Sequence, residues 1–192
     1  MSYQIYTTES LILKRIPYDN NVSYLLFTKD FGLISALATG VRKSESKLRY
    51  ALQEYSVCQI SLVKGKSTWR ITSAVLETNL YVHTEVGAAK DVIARICTQV
   101  IRLVAGQEKD KQLFETVVVG LRELSRSSSD AVVALEILIM LRMLHLLGYV
   151  SEVDTSVCVP YTAYDSKTLE SVLVSKSVFV GHINKGLQES QL

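Results

Sequence analysis

An apolar run, a short turn closed by glycine, a second apolar run and then a dense basic segment constrain this chain more than any other feature. The hairpin reads Leu25-Leu26-Phe27-Thr28-Lys29-Asp30-Phe31-Gly32-Leu33-Ile34, and Ala38-Thr39-Gly40-Val41 leads on into Arg42, Lys43, Lys47 and Arg49. Lys29-Asp30-Phe31-Gly32 suits a type I turn completed by a left-handed glycine, a common hairpin connection. A hairpin of this kind belongs to a small antiparallel sheet, and the sheet then delivers four cations within eight residues. That arrangement suits the holding of a phosphate backbone better than the building of an active site.

The period-2 pattern extends over the first 80 residues. Residues 10–16 and 22–28 are strand candidates on either side of Pro17-Tyr18-Asp19-Asn20-Asn21, a cluster of turn formers. Residues 33–38, 55–63 and 68–76 supply three more, the last two joined by Lys64-Gly65-Lys66-Ser67, and a short helix fits at 48–52. Five short strands point to a small barrel, whose closure removes exposed edges, and the OB type fits the count and length. From Thr84 the period becomes helical, with Val86, Ala89, Val92, Ile93, Ile96 and Val100 on one stripe. Residues 111–124 repeat it. Residues 131–147 are apolar nearly all round, as expected of a central bundle helix capped by Ser129 or Asp130 and ended by Gly148. One or two short helices fit within 167–187. The expected fold is therefore α+β: an N-terminal five-stranded OB-fold barrel over residues 1–80, followed by an all-α helical domain over 81–192.

Charge divides along the same line. Residues 1–80 carry ten Lys/Arg against six Asp/Glu, and residues 81–192 carry eleven against thirteen. A basic front half and a mildly acidic back half suggest modules with different partners. Besides Arg42, Lys43, Lys47 and Arg49, the candidate nucleic-acid-binding residues are Lys14 and Arg15 at the end of the first strand, Lys64 and Lys66 around Gly65, and Arg70 beside Trp69. Cations so placed release condensed counterions from a nucleic acid. Tyr18, Tyr24 and Trp69 are candidates to stack on unpaired bases, although Trp69 also alternates like a core strand residue. A solvated charged loop is the bland alternative for the basic run, and plain core packing the bland alternative for the helical stripes, which otherwise can offer a groove to a partner's peptide.

No catalytic motif competes with this reading. His83, His145 and His182 lie in separate segments, and neither G-x-S-x-G, a Walker A loop, G-x-G-x-x-G nor H-E-x-x-H occurs. His145 reads as a hydrogen-bonded core or interface histidine rather than a base. Cys58, Cys97 and Cys158 are widely spaced and form no C-x-x-C pair, so free thiols in a reducing, cytoplasmic setting are expected, with no metal and no cofactor. The first nine residues lack the cationic and apolar regions of a signal peptide. Residues 131–149 are interrupted by Glu136, Arg142 and His145, so a buried helix is expected there and no membrane span.

The run Leu11-Ile12-Leu13-Lys14-Arg15, the hairpin, Thr39-Gly40-Val41-Arg42-Lys43 with Lys47-Leu48-Arg49, Leu52-Gln53, and later Leu141 with Leu147-Gly148-Tyr149 resemble the RecO family of bacterial recombination mediators. The resemblance implies an OB fold followed by helices, binding of single- and double-stranded DNA, annealing of complementary strands, and help in loading the recombinase RecA. As partners it implies RecR and the C-terminal tail of single-strand-binding protein, docked on the helical domain. Its DNA-contacting positions fall here on Arg42, Lys43, Lys47 and Arg49. Many members carry a four-cysteine zinc element after the Gly-Tyr. Here Cys158 stands at the first ligand position and Tyr161 at its partner's, and the C-terminal part is expected to be reduced. Two other readings stand beside this one: an RNA-binding OB protein, and a protein-interaction adaptor whose charges touch no nucleic acid.

Overall fold

A computed structural model describes residues 4–19, 21–41, 46–104, 106, 108–151, 157 and 159–190. Five strands come first: β1 (Ile5–Tyr18), β2 (Asn21–Thr28), β3 (Gly32–Ala38), β4 (Ser56–Lys64) and β5 (Trp69–Asn79), with helix α1 (Lys47–Ala51) between β3 and β4. They close into a barrel in the order β1-β2-β3-β5-β4, antiparallel except where β3 meets β5. This is the α+β, OB-type architecture expected, with helices following the barrel.

Alternation builds the barrel. Val22, Tyr24 and Leu26 of β2, Ile34, Ala36 and Ala38 of β3, Cys58, Ile60 and Leu62 of β4, and Trp69 and Ile71 of β5 all point into one core. Register slips at Leu13, Thr72 and Glu77 mark bulges, which increase twist and let a short sheet close. β1 is longer than its local pattern suggests. Residues 5–9 pair with β4 from Ile5 opposite Val63 to Glu9 opposite Gln59, a long-range match that no local signal announces. Its other end also runs on. Pro17 and Tyr18 belong to β1 and Asn21 to β2, so the turn is tighter than the cluster of turn formers suggested. Pro17 is tolerated because β4 pairs with β1 only up to Leu11, leaving this stretch with one neighbour.

The β2–β3 turn is held by more than glycine's freedom. Gly32 sits at φ 64°, and a Cβ there would collide with the Glu108 backbone carbonyl. The Thr28 hydroxyl donates to the Gly32 carbonyl at 2.9 Å, and Leu33 N–H donates to the Gly106 carbonyl at 3.2 Å. Nearby Asp30 accepts from the Thr8 hydroxyl at 2.9 Å and lies 3.5 Å and 3.7 Å from the ammonium groups of Lys109 and Lys111. Burial pushes the Asp30 pKa up, but that hydroxyl and the two cations outweigh it, so the net shift is down. A depressed carboxylate stabilises the fold above its unfolded pKa and loses that contribution as acid protonates it. Gly32→Ala is expected to cost the barrel about 2 kcal/mol or more, from left-handed strain plus the displaced carbonyl. The emission of Trp69, the sole tryptophan, reports the barrel, and an unchanged denaturation midpoint by that probe would count against this account of the turn.

The chain separates into two compact units. The first comprises Met1–His83 with Val100–Lys111, and the second Thr84–Gln99 with Gln112–Leu192. Helices α2 (Gly87–Leu103), α3 (Lys111–Arg126), α4 (Val132–Leu146), α5 (Ser166–Val174) and α6 (Lys176–Glu189) follow the strands. Among the described residues, no helix is long and apolar enough to cross a membrane. In the second unit α4 is the hub: Ala134, Ile137, Leu138 and Leu141 pack with Val172 of α5 and Phe179 of α6. Its start differs from expectation. Neither Ser129 nor Asp130 caps it, because residues Ser129–Ala131 form a 3₁₀ turn whose Ala131 N–H bonds the Ser128 carbonyl, and α4 continues directly from that turn. Its end follows expectation: Gly148 is left-handed at φ 81°, Gly148 N–H bonds the His145 carbonyl, and Tyr149 N–H bonds that of Leu144.

Each polar residue that interrupts α4 has a partner. Glu136 takes a bidentate bond from Arg95, at 2.9 Å for both Nε and Nη2. His145 Nδ1 lies 3.0 Å from the Val150 carbonyl, as suits a hydrogen-bonded core histidine, and its ring stacks on Tyr161. Arg142 is wholly buried and bonds the carbonyls of Tyr161 and Val157, both at 3.1 Å.

Candidate nucleic-acid interface

Seven of the candidate cations can be placed; Arg42 and Lys43 lie outside the described residues, as does Cys158. Lys14 and Arg15 sit on the part of β1 that runs past its last buried residue, Leu13, so both side chains are exposed. Lys47 and Arg49 are exposed on α1. Lys64 ends β4, Lys66 lies in the β4–β5 turn and Arg70 follows on β5, all exposed. None of the seven joins an ion pair among the described residues. They contrast with Lys109, Lys111 and Arg95, whose charge is answered by carboxylates.

Four of the seven gather in two places. Arg15 and Arg49 line a cavity of about 530 Å³ with Pro17, Tyr24, Val41, Leu52, Gln53 and Glu54. Lys66 and Arg70 line a second hollow with Val63, Gly65, Ser67, Thr68 and Thr72. A single register row runs from Arg15 to Tyr24, Ala36, Trp69 and Lys64 across all five strands, its three middle side chains pointing into the core. From Arg15 to Trp69 is three strand spacings, about 14 Å around the barrel wall. Oligonucleotide-binding OB folds use the β2–β3 face and the adjoining β1–β2 and β4–β5 loops, and Lys66 lies in the β4–β5 turn of this barrel.

The aromatics need correction. Trp69 is not a stacking platform. It is only 6% exposed, with Tyr6 edge-on at 5.5 Å, Phe31 tilted at 5.1 Å and the Lys64 ammonium 5.3 Å from the ring centroid. Its phase along β5 is the inward one, and barrel closure seals it. Tyr24 is likewise a core residue. Burial raises its pKa, an effect only partly offset by the Arg15 guanidinium beside it, so the phenol stays neutral. Tyr18 is exposed, at 59%. The sequence reading overlooked Tyr50, 67% exposed on α1 directly after Arg49. The available signal was its place at the end of the basic run, in a helix too short to bury more than one side.

Cys58 is no nucleophile. It is buried, donates to the Ala51 carbonyl at 3.0 Å, and burial pushes its thiol up to about 12, with Glu77 adding to the shift. The unfolded thiol ionises near 9.0, so this group's contribution to stability is intact below that pH and is lost between there and about 12. Native protein at pH 8 is expected to leave Cys58 unalkylated by iodoacetamide until it unfolds. Rapid labelling of the folded chain, located by mass spectrometry, would contradict the burial.

The helical unit carries a surface of another kind. Ile96, Val133, Ile137, Met140, Val180, Ile183 and Leu187 line a groove of about 320 Å³, bordered by Lys176 and the Arg95–Glu136 pair.

Comparison with known proteins adds a common pattern to this geometry. Residues 1–79 match the family model described as the N-terminal domain of recombination protein O. A DNA repair protein RecO of Chlorobium phaeobacteroides is 33% identical over 150 residues, covering 76% of this chain and 56% of its own length. One of Heliobacterium modesticaldum is 29% identical, covering 79% and 54%, and one of Clostridium novyi 27% identical, covering 76% and 57%. The chain thus spans little more than half the length of these relatives.

Proposed function

Through its N-terminal domain the chain belongs to the RecO family, and from that premise we propose that it is a DNA-binding recombination mediator acting in DNA repair in the cytoplasm. The first compact unit, residues 1–83 with 100–111, is the DNA-binding module, and the second the module that meets protein partners. The observation that carries this reading is a closed five-stranded barrel bearing exposed cations on α1, on the end of β1 and around the β4–β5 turn, none of them in an ion pair among the described residues.

No covalent chemistry is required. Two complementary strands repel through their phosphates. A basic platform lowers that repulsion, holds both strands close, and leaves base pairing to supply the free energy of annealing. The same hold on single strands supports the loading of RecA, with RecR and single-strand-binding protein as partners. The groove of the helical unit suits the C-terminal tail of the latter. Its apolar lining takes short apolar side chains, and Lys176 at its border can meet a terminal carboxylate.

Fluorescence anisotropy with labelled single-stranded DNA over a salt series tests the reading. The logarithm of the binding constant is expected to fall linearly with the logarithm of salt, with a slope of about −3 to −5 for four to seven phosphate contacts. Sequence dependence should be weak. The reading fails if no complex is retained at about 50 mM salt, where backbone contacts are strong.

A further inference from the structure

We propose that the cavity beside Arg15 and Arg49 accepts one unpaired nucleobase, turned out of the strand, so that the barrel reads unpaired nucleotides as well as phosphate charge. This rests on the DNA-binding reading above and adds to it a ligand for one cavity.

The lining argues for a base rather than a phosphate. Its floor is Tyr24, Val41 and Leu52, all buried, and the Pro17 ring stands at its side. A flat apolar group fits such a floor and a phosphate does not. Glu54 also lines the cavity. A carboxylate repels a phosphate drawn inside but accepts readily from the exocyclic amino group of a base. The two arginines on the lining are then free to meet the phosphates on either side of the inserted nucleotide. At about 530 Å³ the cavity lies within the usual span of small-ligand sites, about 300–1,000 Å³.

The polar edge is held in place before any ligand arrives. Glu54 Oε1 accepts from Arg15 N–H at 2.8 Å, which leaves Oε2 to accept from a ligand. The Glu54 carbonyl takes a bond from Asn79 Nδ2 at 3.1 Å, and the Gln53 carbonyl one from Ser56 N–H at 3.2 Å. Tyr24 offers a neutral phenol. A base within a duplex reaches such a cavity only by leaving its stack and its partner. The cavity therefore favours single strands over duplex beyond what charge alone provides.

The test compares one single-stranded oligonucleotide with a copy of equal length that carries abasic sites at alternate positions, so that the phosphates match. The intact strand is expected to bind the wild-type protein about tenfold more tightly, with the same salt slope for both. Gln53→Trp, which fills the cavity without changing charge, should bring that ratio close to one while the salt slope persists. Equal affinity of the wild type for both strands, with a normal salt slope, overturns the base pocket and leaves the DNA-binding reading standing. A ratio that survives in a folded Gln53→Trp variant overturns it too, because the base is then read elsewhere, at Tyr18 or Tyr50. Should that variant not fold, Tyr18→Ala and Tyr50→Ala decide instead: a ratio that persists in both leaves the cavity as the reader of the base, and a ratio lost in either overturns the pocket. Failure of either strand to bind at low salt removes the underlying reading and the pocket with it.

Discussion

Simultaneous replacement of Arg42, Lys43, Lys47 and Arg49 by alanine is expected to weaken single-stranded DNA binding roughly 100- to 1,000-fold at about 0.1 M salt. The figure follows from counterion release. Each phosphate neutralised on a single strand contributes about 0.7 to the salt slope, so each contact is worth about 0.7 of a decade at 0.1 M. Four contacts give about 2.8 decades and flatten the slope by about 2.8. The two losses must appear together. An affinity loss with an unchanged slope means that the variant disturbed the fold, and a flattened slope with little loss means that the contacts were weak. The loss should be alike for every sequence, because backbone charge carries no base identity. The folded state is not expected to suffer, since Lys47 and Arg49 are exposed and neither joins an ion pair among the described residues. If the fourfold variant binds as the wild type does, residues 42–49 are not the grip.

The abasic comparison and the fourfold variant probe different physics on adjoining residues. Arg49 belongs to both, as a cation of the basic run and as part of the cavity lining. Charge removal should lower affinity for intact and abasic strands by the same factor. Cavity filling should lower it only for intact strands. A protein that is merely an electrostatic platform shows the first effect alone.

Patterns that repeat along the chain were legible, and those that depend on closure were not. Alternation located all five strands, and the hairpin turn with its left-handed Gly32 was readable from four residues. The length of β1 was not, because residues 5–9 are held by pairing with β4, some 50 residues away. Trp69 shows the limit clearly. Its alternation with Arg70 was visible, but which phase faces inward is set by how β5 meets β3 and β4. The start of α4 was misjudged because a cap residue and a 3₁₀ turn use the same Ser and Asp signals. In the candidate site, exposed cations could be read from their places at strand ends and turns. The cavity could not, because it joins β1, β2, α1 and the turn after α1 through contacts far apart in sequence.

Arg142→Ala is expected to destabilise the helical unit by about 3–5 kcal/mol, since it empties a large volume and orphans two carbonyls together. The side chain is 0% exposed at the centre of an apolar helix. An arginine there loses its hydration, so its hold on the chain must be strong to keep it in place. It bonds the carbonyls of Val157 and Tyr161, and its guanidinium lies 4.6 Å from the Tyr164 ring centroid. The Tyr164 hydroxyl in turn donates to the Thr116 carbonyl of α3 at 2.9 Å, so one side chain ties α4 to the segment before α5 and, through Tyr164, to α3. Alanine removes both carbonyl bonds and the ring contact, and leaves Tyr164 tied to α3 but not to α4 through Arg142. Methionine separates the contributions: it refills much of the volume and removes a buried charge, but still leaves the carbonyls unanswered, so a smaller loss of about 1–3 kcal/mol is expected. Far-UV circular dichroism during urea unfolding measures both, because most of the helices lie in this unit. If alanine leaves the midpoint where it was, the guanidinium is not the clasp of the region around residues 157–164. If methionine costs as much as alanine, the carbonyls and not the lost volume dominate.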